Sequence, residues 1–246
     1  MISLFFAFLK IFSRNLRALF FILVLPLVMY VGISYLGIGN IIRLGTSSVY
    51  QEYLLSGIVA MSLMQLGIFS TGYALIDFRR SGILKRIAVS PLSAASFLVA
   101  HGLARTVLAL AQTGLLLFCG FIFFGLTYGW LVILVPLLVA AGLVLFLNLG
   151  YLIASLAKDY EDAAPATTAI NLLLIFLGDV FFPSAALPRP LAILADILPM
   201  KAFSNLFRLA LSGTGHVLVW QVLVLAAWLV ITSIVSFWIF AKKAYR

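Results

Sequence analysis

Charge is what this 246-residue sequence most lacks: Asp, Glu, Lys and Arg together make up 9% of it, against about 25% in a soluble globular domain. With 65% hydrophobic residues, too little polar surface remains to cover a water-facing fold, which excludes a soluble enzyme. One cysteine, Cys119, lies inside an apolar run, so an internal disulfide and a cysteine-based metal site are both excluded. The two histidines, His101 and His216, are not at helix spacing and offer no paired metal ligands. No Gly-rich loop ends in Gly-Lys-Ser/Thr and no Ser-centred elbow is present, so the chain has neither a P-loop nor a hydrolase nucleophile. No catalytic residue, metal or cofactor is therefore expected in this chain.

What is present is apolar sequence in long runs, delimited by clustered charges, because a charged side chain at mid-membrane costs a few kcal/mol or more. Uncharged runs cover residues 18–42 and 53–76. After a basic cluster, Pro91 opens apolar sequence that continues to Ala157, with a turn signal between Gly125 and Gly129. Runs at 163–183 and 217–241 complete six spans of about 20 residues or more. The first run is too long for a signal-peptide core and no small-residue cleavage site follows it, so it is expected to be part of the mature protein. The expected fold is an all-α polytopic membrane protein forming one transmembrane domain over residues 1–246.

Net charge is +9, and its placement gives orientation rather than a nucleic-acid surface. Lys10, Arg14, Arg17, Arg79, Arg80, Lys85, Arg86, Lys158, Lys242, Lys243 and Arg246 fall on one side of a six-span chain. Arg43, Arg189, Lys201 and Arg208 fall on the other. The first side is expected to be cytoplasmic, with both termini there, in the inner membrane.

Two segments do not fit a plain bundle. Lys10, Arg14 and Arg17 share one helical face in an otherwise apolar segment, which predicts an interfacial helix over 1–17 resting on membrane lipid. Between spans five and six, Pro183, Pro188, Pro190 and Pro199 cut residues 183–215 into pieces too short to cross. Short helices that dip into the outer leaflet and return, a re-entrant pair, are expected there.

Few polar residues lie in the spans. Asn148, Asn171, Gln65 and Gln112 are read as interhelical hydrogen-bond partners. Arg105, with His101 one turn away, is either an interfacial anchor or part of a cytoplasmic substrate entrance. Asp179, near the outer end of span five, calls for a cationic partner, either Lys201 or Arg208.

The most informative segment is the loop at 77–91, where Asp77, Arg79, Arg80, Gly82, Lys85 and Arg86 are interleaved with Ile83, Leu84, Ile87 and Val89 before Ser90-Pro91-Leu92. This order, between the second and third of six spans, resembles the cytoplasmic coupling loop of ABC-2 type transporter permeases. Phe181-Phe182-Pro183-Ser184, Leu187-Pro188, Leu198-Pro199-Met200 and Asn205-Leu206-Phe207-Arg208 resemble that family's extracellular re-entrant segment. The chain departs from the usual pattern at Asp179, where a small or neutral residue is commoner, and at Asp77, where Glu is frequent.

The resemblance implies an ATP-driven exporter of a hydrophobic or amphipathic compound, drug-like or lipid-like. Its partners would be a cytoplasmic ABC ATPase, which binds ATP and Mg, and a second permease copy or homologue, in a two-plus-two assembly. It implies that Asp77 to Arg86 couple to the ATPase and that Asp179, Phe181, Phe182, Pro183, Pro188, Pro199 and Arg208 form an outer gate. A polysaccharide or teichoic-acid exporter shares this architecture. A secondary transporter or channel, the rival class, would need mid-membrane carboxylates or inverted repeats.

Overall fold

The computed structural model describes residues 2–36, 47–83, 86, 94–181, 183–184, 187–213 and 219–243. Among them every regular element is helical. In chain order these are α1 (Ile2–Arg14), α2 (Leu16–Tyr35), α3 (Ser47–Met64), a π-helical segment (Gln65–Ser70), α4 (Thr71–Arg80) and α5 (Ala94–Phe124). A 3₁₀ turn (Trp130–Leu134) then leads into α6 (Val135–Leu156), followed by α7 (Tyr160–Leu177), α8 (Arg189–Ile197), α9 (Pro199–Ser212) and α10 (Val219–Lys243).

Hydrocarbon offers the backbone no hydrogen-bond partner, so apolar runs of this length fold as helices that satisfy themselves. Tyr50–Arg80, Ser96–Phe124, Trp130–Leu156 and Val219–Ile239 are each long and apolar enough to cross a bilayer. Two bent pairs, Ile2–Arg14 with Leu19–Tyr35 at 67° and Arg189–Ile197 with Pro199–Ser212 at 75°, raise the candidate spans to as many as six. Five of the six expected runs fall on these candidates, namely α2, the continuous α3–α4 rod, α5, the 3₁₀ turn with α6, and α10, whereas the fifth expected run falls on α7, a helix of 18 residues that is not among them.

Boundaries are set by local chemistry. Asn15 ends α1, its N–H bonding to Phe12 O at 3.1 Å while its own carbonyl accepts from Leu19 at 3.0 Å, and the chain bends. Gly125, at φ 62°, terminates α5 where the turn was expected. Its N–H and that of Leu126 return to Phe121 O and Gly120 O. Asp159 caps α7 by accepting from Asp162 N at 3.0 Å. Pro188 stands at the N-cap of α8 and Pro199 opens α9, positions where a missing N–H costs nothing.

Two expectations change. The N-terminal helix spans Ile2–Arg14 rather than 1–17, because Asn15 breaks it. Arg17 therefore lies in the first turn of α2, off the face that Lys10 and Arg14 share. Span five stops at Leu177, since Gly178 and Asp179 leave the helix and Asp179 adopts φ 54°. Helices α8 and α9, where the re-entrant pair is expected, meet in a 75° elbow at Leu198.

At the centre, α6 packs against α3, α5, α7, α9, α10 and the π-helical segment. Its closest approach is to the π segment: a Cβ at Gly150 would stand 2.4 Å from Gly67 O, and one at Gly67 would stand 2.5 Å from Phe146 Cβ. Only glycine at these two positions lets the backbones meet so closely. The π segment is thereby held fast against α6.

Candidate functional site

Polar side chains gather at three levels of this apolar bundle. The first is the basic end, where α4, α6 and α7 meet. Arg79 Nη2 donates to Ala157 O at 2.6 Å and Lys158 O at 2.7 Å, and Nη1 to Ala154 O at 3.2 Å. These are carbonyls left open at the end of α6, so the guanidinium caps that helix and meets the negative end of its dipole. Arg80 lies over the Tyr160 ring, 5.7 Å from its centroid, and Tyr160 packs edge-on against Tyr73 at 5.5 Å. Burial, and after it the Asp77 carboxylate, push the Tyr160 phenol up to about 12, so it remains a neutral donor beside Asp77.

Asp77, Arg79 and Arg80 thus belong to the last turn of the long second-span rod, not to a detached loop helix. Gly82, at φ 72°, ends that rod, its N–H returning to Arg79 O at 3.2 Å. Asp77, Arg80 and Arg86 are exposed. Lys85 and residues 87–91 lie outside the described residues. Lys10, Arg14 and Arg17 are exposed as well.

The second level is a sealed hub. His101 is 1% exposed and Arg105 2%, so neither opens onto the surface as an anchor or an entrance would. Arg105 donates to His101 Nε2, to Ser70 O at 2.9 Å and to Ser70 Oγ at 3.1 Å. Because guanidinium only donates, Nε2 must accept, and the neutral imidazole carries its proton on Nδ1, 2.9 Å from the Tyr151 hydroxyl.

Phe12 covers the guanidinium at 5.1 Å, and Phe8, Phe78 and Phe97 pack round the imidazole. Sequence spacing placed His101 and Arg105 on one face of α5. It could not show that α1 folds over them and buries them. The hub joins α1, the π segment, α4, α5 and α6 through two side chains.

The third level is the opposite end. Arg208 of α9 donates to the Asp179 backbone oxygen and to Asn205 Oδ1 at 2.8 Å. Its guanidinium carbon stands 3.6 Å from the Tyr53 ring centroid, and Nη1 is 3.9 Å from Asp179 Oδ2. Asp179, 7% exposed, accepts from Ser184 N at 2.7 Å. Of the two bases considered for Asp179, the structure selects Arg208. Lys201 pairs with Asp196 at 2.6 Å instead.

Phe181 packs against the core, while Phe182 lies outside the described residues. Pro183 follows the Asp179 turn, Pro188 caps the start of α8, and Pro199 opens α9 at the elbow. Trp220 and Trp228 of α10 donate to Asp196 O at 3.2 Å and Ile197 O at 2.8 Å, clasping the elbow from the side.

The profile described as ABC-2 family transporter protein matches residues 40–242, most of the chain. The chain belongs to the ABC-2 transporter family. It is a multi-pass membrane permease without an ATPase domain. ABC-2 permeases generally pair with an ABC ATPase, and the permease domain itself typically binds no cofactor. No curated protein matches the chain.

Among the described residues of the permease, no group of His, Cys, Asp and Glu is placed to hold a metal ion. The polar groups of the three levels join helices to one another.

Proposed function

We propose that the permease is the membrane half of an ATP-driven exporter that moves a hydrophobic or amphipathic compound, drug-like or lipid-like, outward across the cytoplasmic membrane. Two permeases and two ATPase subunits, the latter binding ATP and Mg, form the working assembly, with both permease termini cytoplasmic. The observation that carries this reading is the basic end. Exposed Asp77 and Arg80 lie in the last turn of a 31-residue helix, exposed Arg86 follows beyond its end, and Arg79 ties that tip to the end of α6. A push on such a tip reaches the π segment, and through the hub reaches α1 and α5.

The apolar walls of the bundle and the scarcity of charge inside it favour an apolar cargo. The Asp179–Arg208 cluster, with its proline elbow, is the element best placed to act as an outer gate. The test is to replace Arg80 and Arg86 with Ala while leaving Arg79 in place, in permease–ATPase proteoliposomes. Transport falls by an order of magnitude or more while ATP hydrolysis and thermal stability persist. Transport and hydrolysis that remain coupled return these residues to a purely topological role.

A further inference from the structure

A cleft of about 570 Å³ between α5, α6 and α10 is almost wholly apolar, and its polar members are satisfied internally, as in the 2.8 Å Asn148–Ser233 bond. A smaller cavity of about 310 Å³ lies between α2, the π segment and α5, and it is built differently. Its walls carry Gln65, Ser62, Ser70 and Tyr73 from the second span and Gln112 from α5. Among the described residues the Gln65 and Gln112 amides make no hydrogen bond within the protein. Gln112 is 3% exposed and lines this cavity, where its amide keeps a little accessible surface and has no partner within the protein. An amide desolvated without partners costs roughly 1–3 kcal/mol, and the buried Gln112 with the half-buried Gln65 in the same lining points to a ligand that supplies the missing bonds.

The backbone adds to this. Pro26 lies inside α2 and has no N–H to give to the Ile22 carbonyl one turn earlier. Both residues line the cavity. The π-helical geometry is itself a departure that often accompanies a functional site, and here it places Gln65, Leu66, Phe69 and Ser70 along one wall.

Among the described lining residues none is charged, and the Arg105 guanidinium behind Ser70 is committed to His101 and Ser70, so a charged headgroup would be desolvated there without a counter-charge free to meet it. We infer that the cavity between α2, the Gln65–Ser70 π segment and α5 is a binding site for an uncharged amphipath. Its head would both donate and accept hydrogen bonds, meeting Gln65 and Gln112, and its tail would lie against Phe21, Leu25 and Phe69. This inference rests on the exporter reading for its meaning as a cargo site, but binding itself requires neither ATP nor the ATPase.

The test uses the full chain in phosphatidylcholine–phosphatidylglycerol nanodiscs, without nucleotide, and a diazirine-bearing decanamide as photoprobe. Saturable labelling is expected on peptides covering 21–26 and 65–73, competed by decanamide and not by decyltrimethylammonium. Gln112→Leu, which keeps the side-chain volume, raises the half-competing concentration roughly two- to tenfold, the worth of one neutral hydrogen bond. Leu25→Trp, which fills the cavity, abolishes the labelling.

Labelling that does not saturate, that is indifferent to Gln112→Leu, or that spreads equally over α6 and α10 overturns the inference. Labelling as expected in a protein that shows no ATP-dependent transport leaves the site standing and removes the exporter reading instead.

Discussion

The Asp179–Arg208 cluster can be dissected by three substitutions at one residue, because Asp179 does three separable things. It adopts φ 54°, it accepts a 2.7 Å bond from Ser184 N, and its carboxylate stands 3.9 Å from Arg208 Nη1. Asparagine tolerates the left-handed backbone and can keep the Ser184 bond, so Asp179→Asn isolates the charge. At 3.9 Å, an effective dielectric of 20 puts the Coulomb attraction at about 4 kcal/mol. Releasing the carboxylate from its own burial offsets part of that, leaving a net loss of about 1–3 kcal/mol.

Asp179→Gly adds the loss of the Ser184 bond, about 1 kcal/mol, and recovers a similar amount of backbone strain. Asp179→Ala loses both interactions without relieving the strain, and falls about 1–2 kcal/mol below the glycine variant. At about 2–4 °C per kcal/mol for a chain of this size, the melting temperature of the detergent-purified permease falls by about 2–12 °C in Asp179→Asn. It falls furthest in Asp179→Ala. A double-mutant cycle of Asp179→Asn with Arg208→Met should return about 1–3 kcal/mol of coupling. Coupling below about 0.3 kcal/mol, or an alanine variant as stable as glycine, refutes the reasoning.

Other consequences follow from the same geometry. Gly150→Leu drives a side chain into Gly67 O, 2.4 Å from where its Cβ must stand, and should yield aggregated protein on size exclusion. Gly114→Ala, where nothing lies within 4 Å, should elute as the parent does. Arg79→Ala removes the cap from α6 and lowers stability by about 2 kcal/mol, measurable as a melting shift, whereas Arg80→Ala leaves melting unchanged. Phe8→Ala, taking a 7% exposed ring from against Phe78, Phe97 and His101, costs about 3–5 kcal/mol. It should also raise proteolysis within α1.

Much of the architecture was legible because charge is so scarce that each cluster of it marks a helix end, and because Gly125, Pro188 and Pro199 announce breaks that backbone chemistry enforces. What was not legible depends on partners distant in sequence. Arg79 reads as a loop cation until its target carbonyls at Ala154, Ala157 and Lys158 are in place.

Arg105 and His101 read as interfacial until Phe8 and Phe12 close over them. Asn15 is a single polar residue in an amphipathic pattern whose i, i+4, i+7 spacing continues straight through it, so the bend leaves no periodic trace. Nothing in Gln65–Ser70 marks a π helix, whose extra residue is accommodated by tertiary packing against Gly150. Gln65 and Gln112 have the look of interhelical partners in the sequence, and in the structure both line one cavity instead.

The central claim is that this permease is driven by a separate ATPase docked at its basic end. The most direct measurement is affinity purification of the tagged permease from cells expressing its genomic neighbours, followed by transport in vesicles with and without ATP. An ATP-binding subunit should co-purify in stoichiometric amount, and transport should stop when ATP is depleted. A permease that purifies with no ATP-binding protein, and that carries its cargo in ATP-depleted vesicles, contradicts the account.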